Sequence, residues 1–155
     1  MNELIEKISS RFPNCISDKI ILSENKQREI DSFIDENSFL KTNISYVNFL
    51  LIYSGLSYFD DKTDEDLTLY GFNNSGIEFS DKDYFNEPFL DSKGYFLFGH
   101  LSLPEQNKFY DFVFNTKKAM DIYIKESSEK KNTSYKFLCK SFDELLYKIT
   151  MKEIN

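Results

Sequence analysis

The spacing of apolar residues predicts two amphipathic helices near the start of the chain. In the first, the apolar residues fall on one helical face, and Pro13 follows as a residue that cannot continue the helix. In the second, which has Ser23 as its candidate N-cap, the apolar residues form a narrow stripe. These residues are Leu4, Ile5, Ile8 and Phe12 in the first helix and Ile30, Phe33 and Ile34 in the second. We therefore expect the polar faces to lie in water.

A third helix is predicted over residues 44–54, with Asn43 as its N-cap. Apolar side chains occupy most of its sides, which is typical of a helix at the centre of a domain. Leu50 and Leu51 are accordingly expected in the core. Gly55 follows at the position where a left-handed C-terminal cap is needed, a conformation that glycine adopts without strain.

A last helix is predicted near the end of the chain from two patterns. Ser141 and Glu144 stand three residues apart, as in the capping box that satisfies backbone N–H groups at a helix start. The apolar residues that follow have helical spacing and are Phe142, Leu145, Leu146 and Ile149. Both patterns therefore predict a helix that begins at the same residue.

Between residues 57 and 139 the pattern changes to short runs of aromatic and β-branched residues, which predict strands. The runs cover residues 67–72, 95–98, 109–114 and 120–124, with a further short one at 135–138. Only five residues join the third run to the fourth, enough for an antiparallel hairpin but too few for a parallel crossover. We therefore predict a single α+β domain with N-terminal helices, a mainly antiparallel sheet and a capped C-terminal helix.

Four short signatures follow one another along these predicted elements. They are SYVNFLLIYSG at residues 45–55, LTLYGF at 67–72, GYFLFGH at 94–100 and SFDELL at 141–146. In this order they resemble the SUKH superfamily, whose members include immunity proteins of bacterial toxin systems and a fungal cell-wall regulator. The resemblance covers roughly residues 24–150, so residues 1–22 are expected to form a helical extension of one SUKH-like domain over residues 1–155.

The resemblance implies a function in binding. It implies an immunity protein that lies in the cytoplasm, binds a cognate toxin and neutralises it by occlusion, without catalysis. The fungal member implies an alternative, which is a regulatory scaffold that binds an endogenous protein partner. The signatures consist of packing residues and contain no catalytic motif. They therefore imply no catalytic residue and no cofactor.

Length and composition fit one globular domain. A chain of 155 residues can bury about 70% of the surface that its unfolded form exposes, and sixteen Phe and ten Tyr supply side chains for a core. The N-terminal residues lack an unbroken apolar stretch, and the apolar run at residues 49–53 is far too short to span a bilayer, which favours a cytoplasmic protein. Cys15 and Cys139, the only cysteines, are expected to be small buried side chains rather than a disulfide.

Negative charge is concentrated in one part of the chain. Residues 60–91 contain ten acidic residues and two lysines, a local charge of −8 in a chain of net charge −7. This asymmetry argues against nucleic acid or an anionic membrane as ligand, and it favours a partner protein with a basic surface. Solvated loops that aid solubility are the other interpretation.

Aromatic residues border the acidic stretches, and protein interfaces combine aromatic anchors with charge in this way. Phe59 and Phe85 are expected in the core, whereas Tyr58 and Tyr84 fit the core or the surface equally well. The candidate partner-binding residues are therefore Tyr58, Asp60, Asp61, Asp64, Glu65, Asp66, Asp81, Asp83, Tyr84 and Glu87.

Candidate catalytic and metal-binding residues are few. His100 is the only histidine, and because no motif supplies it with a nucleophile, it is expected to lie on the surface or to order a loop after a strand. Asp60, Asp64 and Asp66 superficially match a calcium loop, but Glu65 stands where the turn needs glycine. The five glycines form no phosphate-binding motif. The sequence therefore indicates recognition, with an enzyme as the least favoured class.

Overall fold

Four helices and six strands follow one another in the residues that the structure, a computed structural model, describes: 1–72, 89–126 and 133–154. The helices are α1 Asn2–Arg11, α2 Glu24–Glu36, α3 Ile44–Ile52 and α4 Phe142–Met151. The strands are β1 Gly55–Asp60, β2 Glu65–Tyr70, β3 Tyr95–Leu103, β4 Lys108–Asn115, β5 Asp121–Glu126 and β6 Ser134–Cys139. Short 3₁₀ helices cover Ser38–Thr42 and Pro104–Gln106. The predicted α+β class, with helices at the N-terminal side and one at the C-terminal side, is confirmed.

The described strands form one antiparallel sheet in chain order, β1-β2-β3-β4-β5-β6. The predicted mainly antiparallel sheet is therefore confirmed, including the β4–β5 hairpin. β1 was not predicted. β3 continues to Leu103, so His100 lies within a strand and not after one. Leu101 and Leu103 are buried and alternate with less buried residues, which is the two-residue period of a strand.

Helices α3 and α4 pack on one face of the sheet. Tyr46 of α3 lies with its ring centroid 5.5 Å from that of Phe98 and 5.0 Å from that of Phe114. Phe142 of α4 lies 5.2 Å from Tyr46, and Phe98 stacks on Phe114 at 3.9 Å. We call this side of the sheet the helix face and the opposite side the outer face. The predicted central helix is therefore α3, whose Tyr46 is fully buried.

The predicted helix caps are confirmed at α2, α3 and α4. The side chains of Ser23, Asn43 and Ser141 each accept a hydrogen bond from the backbone N–H three residues later. Glu144 also reaches back to the helix start, but it accepts from the N–H of Lys140, at 3.1 Å, rather than from that of Ser141. The helix starts are therefore fixed by local side-chain chemistry.

Gly55 is not the helix cap that was predicted. Helix α3 ends at Ile52, its C-cap residue Tyr53 is extended, and Gly55, with a φ of 122°, begins β1. Gly71 directly follows β2, and a Cβ atom on Gly71 would stand 2.6 Å from the Gly55 nitrogen. The two glycines therefore allow β1 and β2 to approach each other closely at this end of the pair.

Leu50 and Leu51 provide a matched test of which side of α3 faces the core. Leu50 is fully buried, whereas Leu51 is only half-buried, so the expectation that both lie in the core is wrong for Leu51. Leu50→Ala should lower the free energy of unfolding by about 2–5 kcal/mol, and Leu51→Ala by clearly less. Urea denaturation of the two variants measures the difference. Equal losses would contradict the orientation of α3.

Candidate functional site

The β1–β2 hairpin brings five candidate residues together. Its strand pairing ends where Asp60 and Glu65 face each other. The turn is held by Asp60, whose Oδ1 accepts a hydrogen bond from the N–H of Lys62 at 3.0 Å. Asp61 and Asp64 are exposed. We call the five residues the acidic tip: Asp60, Asp61, Asp64, Glu65 and Asp66.

The remaining candidates, and Asp91 of the same charged stretch, are not part of the acidic tip. Asp81, Asp83, Tyr84 and Glu87, with the neighbouring Phe85, lie outside the described residues. Asp91, which contributes to the same local charge, accepts hydrogen bonds from the N–H of Tyr95 at 2.9 Å and from the hydroxyl of Tyr135 at 2.8 Å. Burial raises the pKa of Asp91, but these hydrogen bonds outweigh burial and hold the pKa below its usual value. Asp91 therefore has a structural role.

Tyr58, a candidate partner contact that fitted the core or the surface equally well in the sequence, lies in the core. Only 3% of its surface is exposed, and its ring stacks on Phe12 with the centroids 4.2 Å apart. Its hydroxyl donates a short hydrogen bond to Oε1 of Glu65. Burial is the main cause that raises the pKa of Tyr58 well above its usual value, and the hydrogen bond to the Glu65 carboxylate is the second. Tyr58 therefore acts from below the surface, by orienting an acidic side chain.

Phe59, which was expected in the core, is 42% exposed. Strand alternation explains why Tyr58 is buried and Phe59 is exposed. Leu56 and Tyr58 point to the helix face, whereas Ser57 and Phe59 point to the outer face. Ile16 forms a short antiparallel bridge to Ser57 beside β1, so its side chain lies on the same face. It is 58% exposed. Two exposed apolar side chains therefore lie beside the acidic tip.

A row of paired residues continues from Phe59 across the outer face. Asp66 on β2 faces Phe59, Ser102 on β3 faces Asp66, and Phe109 on β4 faces Ser102. Phe59 and Phe109 are separated by three strand spacings of about 4.8 Å each, so their backbones lie about 14 Å apart. Phe109 is 46% exposed. Exposed rings on both sides of a carboxylate give this face apolar anchors and a charge, as in protein interfaces.

His100 links β2 and β3 on the outer face. Its Nδ1 lies 3.2 Å from the hydroxyl of Tyr70, and its Nε2 lies 3.4 Å from Oδ2 of Asp66. A neutral ring with its proton on Nε2 can donate to Asp66 while it accepts from Tyr70. The expected role in a loop or at the surface is therefore corrected, because the ring is partly buried within a strand and orients a carboxylate of the acidic tip.

A small cleft lies on the helix face directly under the acidic tip. Its volume is about 90 Å³. Aliphatic side chains line it, namely Leu67, Leu101, Leu103, Ile149 and Ile154. Tyr58 also lines the cleft, and its polar residues are Glu65, Gln106 and Lys152. The cleft therefore joins a carboxylate of the acidic tip to an apolar floor.

The remaining chemical groups to consider are possible metal ligands and the two cysteines. Within residues 1–72, 89–126 and 133–154, no three His, Cys, Asp or Glu side chains are grouped so as to hold a metal ion. Both cysteines are free; Cys139 is buried and Cys15 half-buried. Burial raises the pKa of the Cys139 thiol to about 12, so this thiol is a poor nucleophile at neutral pH.

Comparisons with known proteins leave the site to be interpreted from its own chemistry. No protein-family model, no curated protein and no solved structure matches the chain. Of the helices described, none has both the length and the apolar character needed to cross a membrane. Strand alternation could have identified Phe59 as exposed from the sequence, whereas nothing in the sequence indicated Ile16, Phe109 or the cleft.

The raised pKa of Tyr58 should lower the free energy of unfolding at alkaline pH. Its pKa is raised in the folded state, so above pH ~10 the unfolded chain loses this proton before the folded chain does, and stability falls as pH rises. Tyr58→Phe removes this contribution, so the variant should lose about 1 kcal/mol less than the parent between pH ~8 and ~11. Urea denaturation at the two pH values measures this. An identical loss in both proteins would show that Tyr58 already titrates normally when folded.

Proposed function

We propose that the protein is an immunity protein that lies in the cytoplasm, binds a cognate toxin with a basic surface and neutralises it by occlusion, without catalysis. The observation that carries this proposal is the acidic tip beside the exposed ring of Phe59. Asp61 and Asp64 present charge to solvent, and Phe59 presents apolar area next to them. The toxin as partner class comes from the resemblance to the SUKH superfamily.

The geometry supports binding because charge and apolar area have separate tasks in an interface. Exposed charges of one sign attract an oppositely charged partner over a distance and orient it before contact. Aromatic side chains then supply most of the affinity when they are buried against the partner. The acidic tip and Phe59 offer the two in adjacent positions on one hairpin.

Occlusion requires little movement of this protein. The hairpin is the end of a continuous sheet, and the carboxylates of Glu65 and Asp66 are already held by hydrogen bonds to Tyr58 and His100. A surface whose side chains are ordered before binding loses less conformational entropy on association. A preformed acidic surface of this kind can cover a basic active site or the surface around it.

The proposal is tested by expressing the protein together with candidate toxins. The candidates are the C-terminal domains of large secreted proteins encoded next to its gene. We expect restored growth of the host and a stable 1:1 complex by size-exclusion chromatography with light scattering. Protection without a complex, or loss of the toxin at substoichiometric amounts of this protein, would contradict binding as the mechanism. A complex with an endogenous protein and no protection would favour the regulatory scaffold.

A further inference from the structure

The cleft under the acidic tip has the size of a short alkyl chain. A protein cavity of about 150 Å³ with apolar walls holds a benzene molecule. At about 90 Å³ this cleft is smaller, so it takes a short and narrow apolar group. Its floor is made of buried aliphatic side chains, including Leu67, Leu101 and Ile149. A linear aliphatic stem therefore fits the cleft.

Glu65 provides a charged group at this cleft in a fixed orientation. Its Oε1 accepts the hydroxyl of Tyr58, whose ring is held by its stack on Phe12. Its Oε2 makes no hydrogen bond to the described residues. Asp60 faces Glu65 across the hairpin, and Asp66 follows it in the chain, so the surroundings add further negative charge. A cation that enters the cleft can therefore pair with Oε2 of Glu65.

Lys152 is the cation that already lines the cleft, and its ammonium is engaged elsewhere. The Nζ atom lies 5.2 Å from the centroid of the Phe12 ring, in a cation–π contact. Among the described residues it makes no ion pair with Glu65. Lys152 reduces the negative potential of the cleft but leaves the Glu65 carboxylate available.

We propose that this cleft is a socket for one lysine or arginine side chain of the protein partner. The methylene stem lies on Leu67, Leu101 and Ile149, and the cationic head pairs with Glu65. Such a side chain combines an aliphatic stem with a charged end, which is the combination that the cleft offers. The identity of the side chain as a toxin residue rests on the proposed function, whereas the chemistry of the cleft does not.

The socket can be tested with a small probe and without any toxin. Butylguanidinium carries the stem and head of arginine, and butylurea is its uncharged analogue. Titrations followed by NMR of the Leu and Ile methyl groups should show saturable shifts at Leu67, Leu101 and Ile149, with a millimolar Kd. Butylurea should bind at least about fivefold more weakly, because it cannot form the ion pair.

A matched pair of variants identifies the carboxylate. Glu65→Gln keeps an acceptor for the Tyr58 hydroxyl but removes the charge, and it should weaken butylguanidinium binding at least about fivefold. Glu105→Gln removes an exposed charge beside Gln106 without altering a lining residue, and it should change the Kd by less than about twofold. Lys152→Ala should strengthen binding, because it removes a positive charge that reduces the negative potential of the cleft.

The outcomes separate the socket from the proposed function. Absent saturable shifts, equal binding of the two probes, or an unchanged Kd in Glu65→Gln would each overturn the socket, even if the toxin complex forms. Probe binding without any protective toxin would instead leave the socket in place and contradict the immunity function. Where a toxin complex exists, a double-mutant cycle should couple Glu65→Gln to the loss of one basic toxin residue.

Discussion

Replacing Asp61 and Asp64 by lysine should slow association with the basic partner by about tenfold or more at low ionic strength. Both residues are exposed, so they contribute to the field that attracts the partner before contact. The difference from the parent should shrink as salt approaches about 1 M, where the screening length is about 3 Å. Stopped-flow association rates over a range of salt concentrations measure both effects.

The choice of these two residues follows from their contacts. Asp60 accepts a hydrogen bond within the turn, Glu65 accepts the Tyr58 hydroxyl, and Asp66 lies against His100. Reversal of those three charges would disturb the hairpin as well as the field. Asp61 and Asp64 make no such hydrogen bonds to the described residues. Asp64 has a φ of 54°, which aspartate adopts more readily than lysine, so the double reversal should lower the melting temperature only slightly.

A control variant separates local charge from net charge. The double variant Glu6→Lys with Glu36→Lys changes the net charge by the same amount as the hairpin variant. Its two positions lie on α1 and α2, and both side chains are exposed. Its association rate should fall much less, because these positions are not in the acidic tip. Equal slowing in both variants would mean that only net charge matters. Unchanged rates in the hairpin variant would assign the acidic tip to solubility and place the interface elsewhere.

The helix starts could be predicted from sequence because their causes are local. Ser23, Asn43 and Ser141 each bind a backbone N–H group three residues away, and this contact needs no knowledge of the rest of the fold. The end of α3 was harder to predict from the sequence. Gly55 has the positive φ that was expected, but at the start of β1, where an added Cβ would lie 3.1 Å from the Leu69 carbonyl oxygen, and that contact depends on strand pairing.

The acidic tip could be located from composition, but the side chains around it could not be assigned to a face. In a strand, a shift of one residue moves every side chain to the opposite face. Because β1 was not predicted, neither were the burial of Tyr58 and the exposure of Phe59. Recognition of the alternation from Leu56 to Phe59 would have corrected both.

The cleft could not be predicted because its residues come from distant parts of the chain. Glu65 and Leu67 lie on β2, Leu101 lies on β3, and Ile149 lies on the last helix. Only the completed packing of α4 on the sheet brings them together. No local pattern in the sequence predicts that these residues share a cleft.

Gly71→Ala should lower the free energy of unfolding by about 1–3 kcal/mol, the usual cost of inserting a methyl group into a packed site. The added Cβ would stand 2.6 Å from the Gly55 nitrogen and 2.8 Å from the Ser54 carbonyl carbon. Both neighbours are backbone atoms, so β1 must move away from β2 because no side chain can rotate to make room. For a domain of this size the melting temperature should fall by about 2–4 °C for each kcal/mol.

Ser57→Ala on β1 is the matched control for Gly71→Ala, because it leaves a Cβ atom where one already exists, on the outer face. Its melting temperature should stay within about 2 °C of the parent value, since it adds no atom to the site. Differential scanning calorimetry of both variants measures the contrast. A Gly71→Ala variant as stable as the parent would show that β1 and β2 can separate at this end at no cost. The orientation of the hairpin, and with it the position of the acidic tip, would then not depend on the contact between the two glycines.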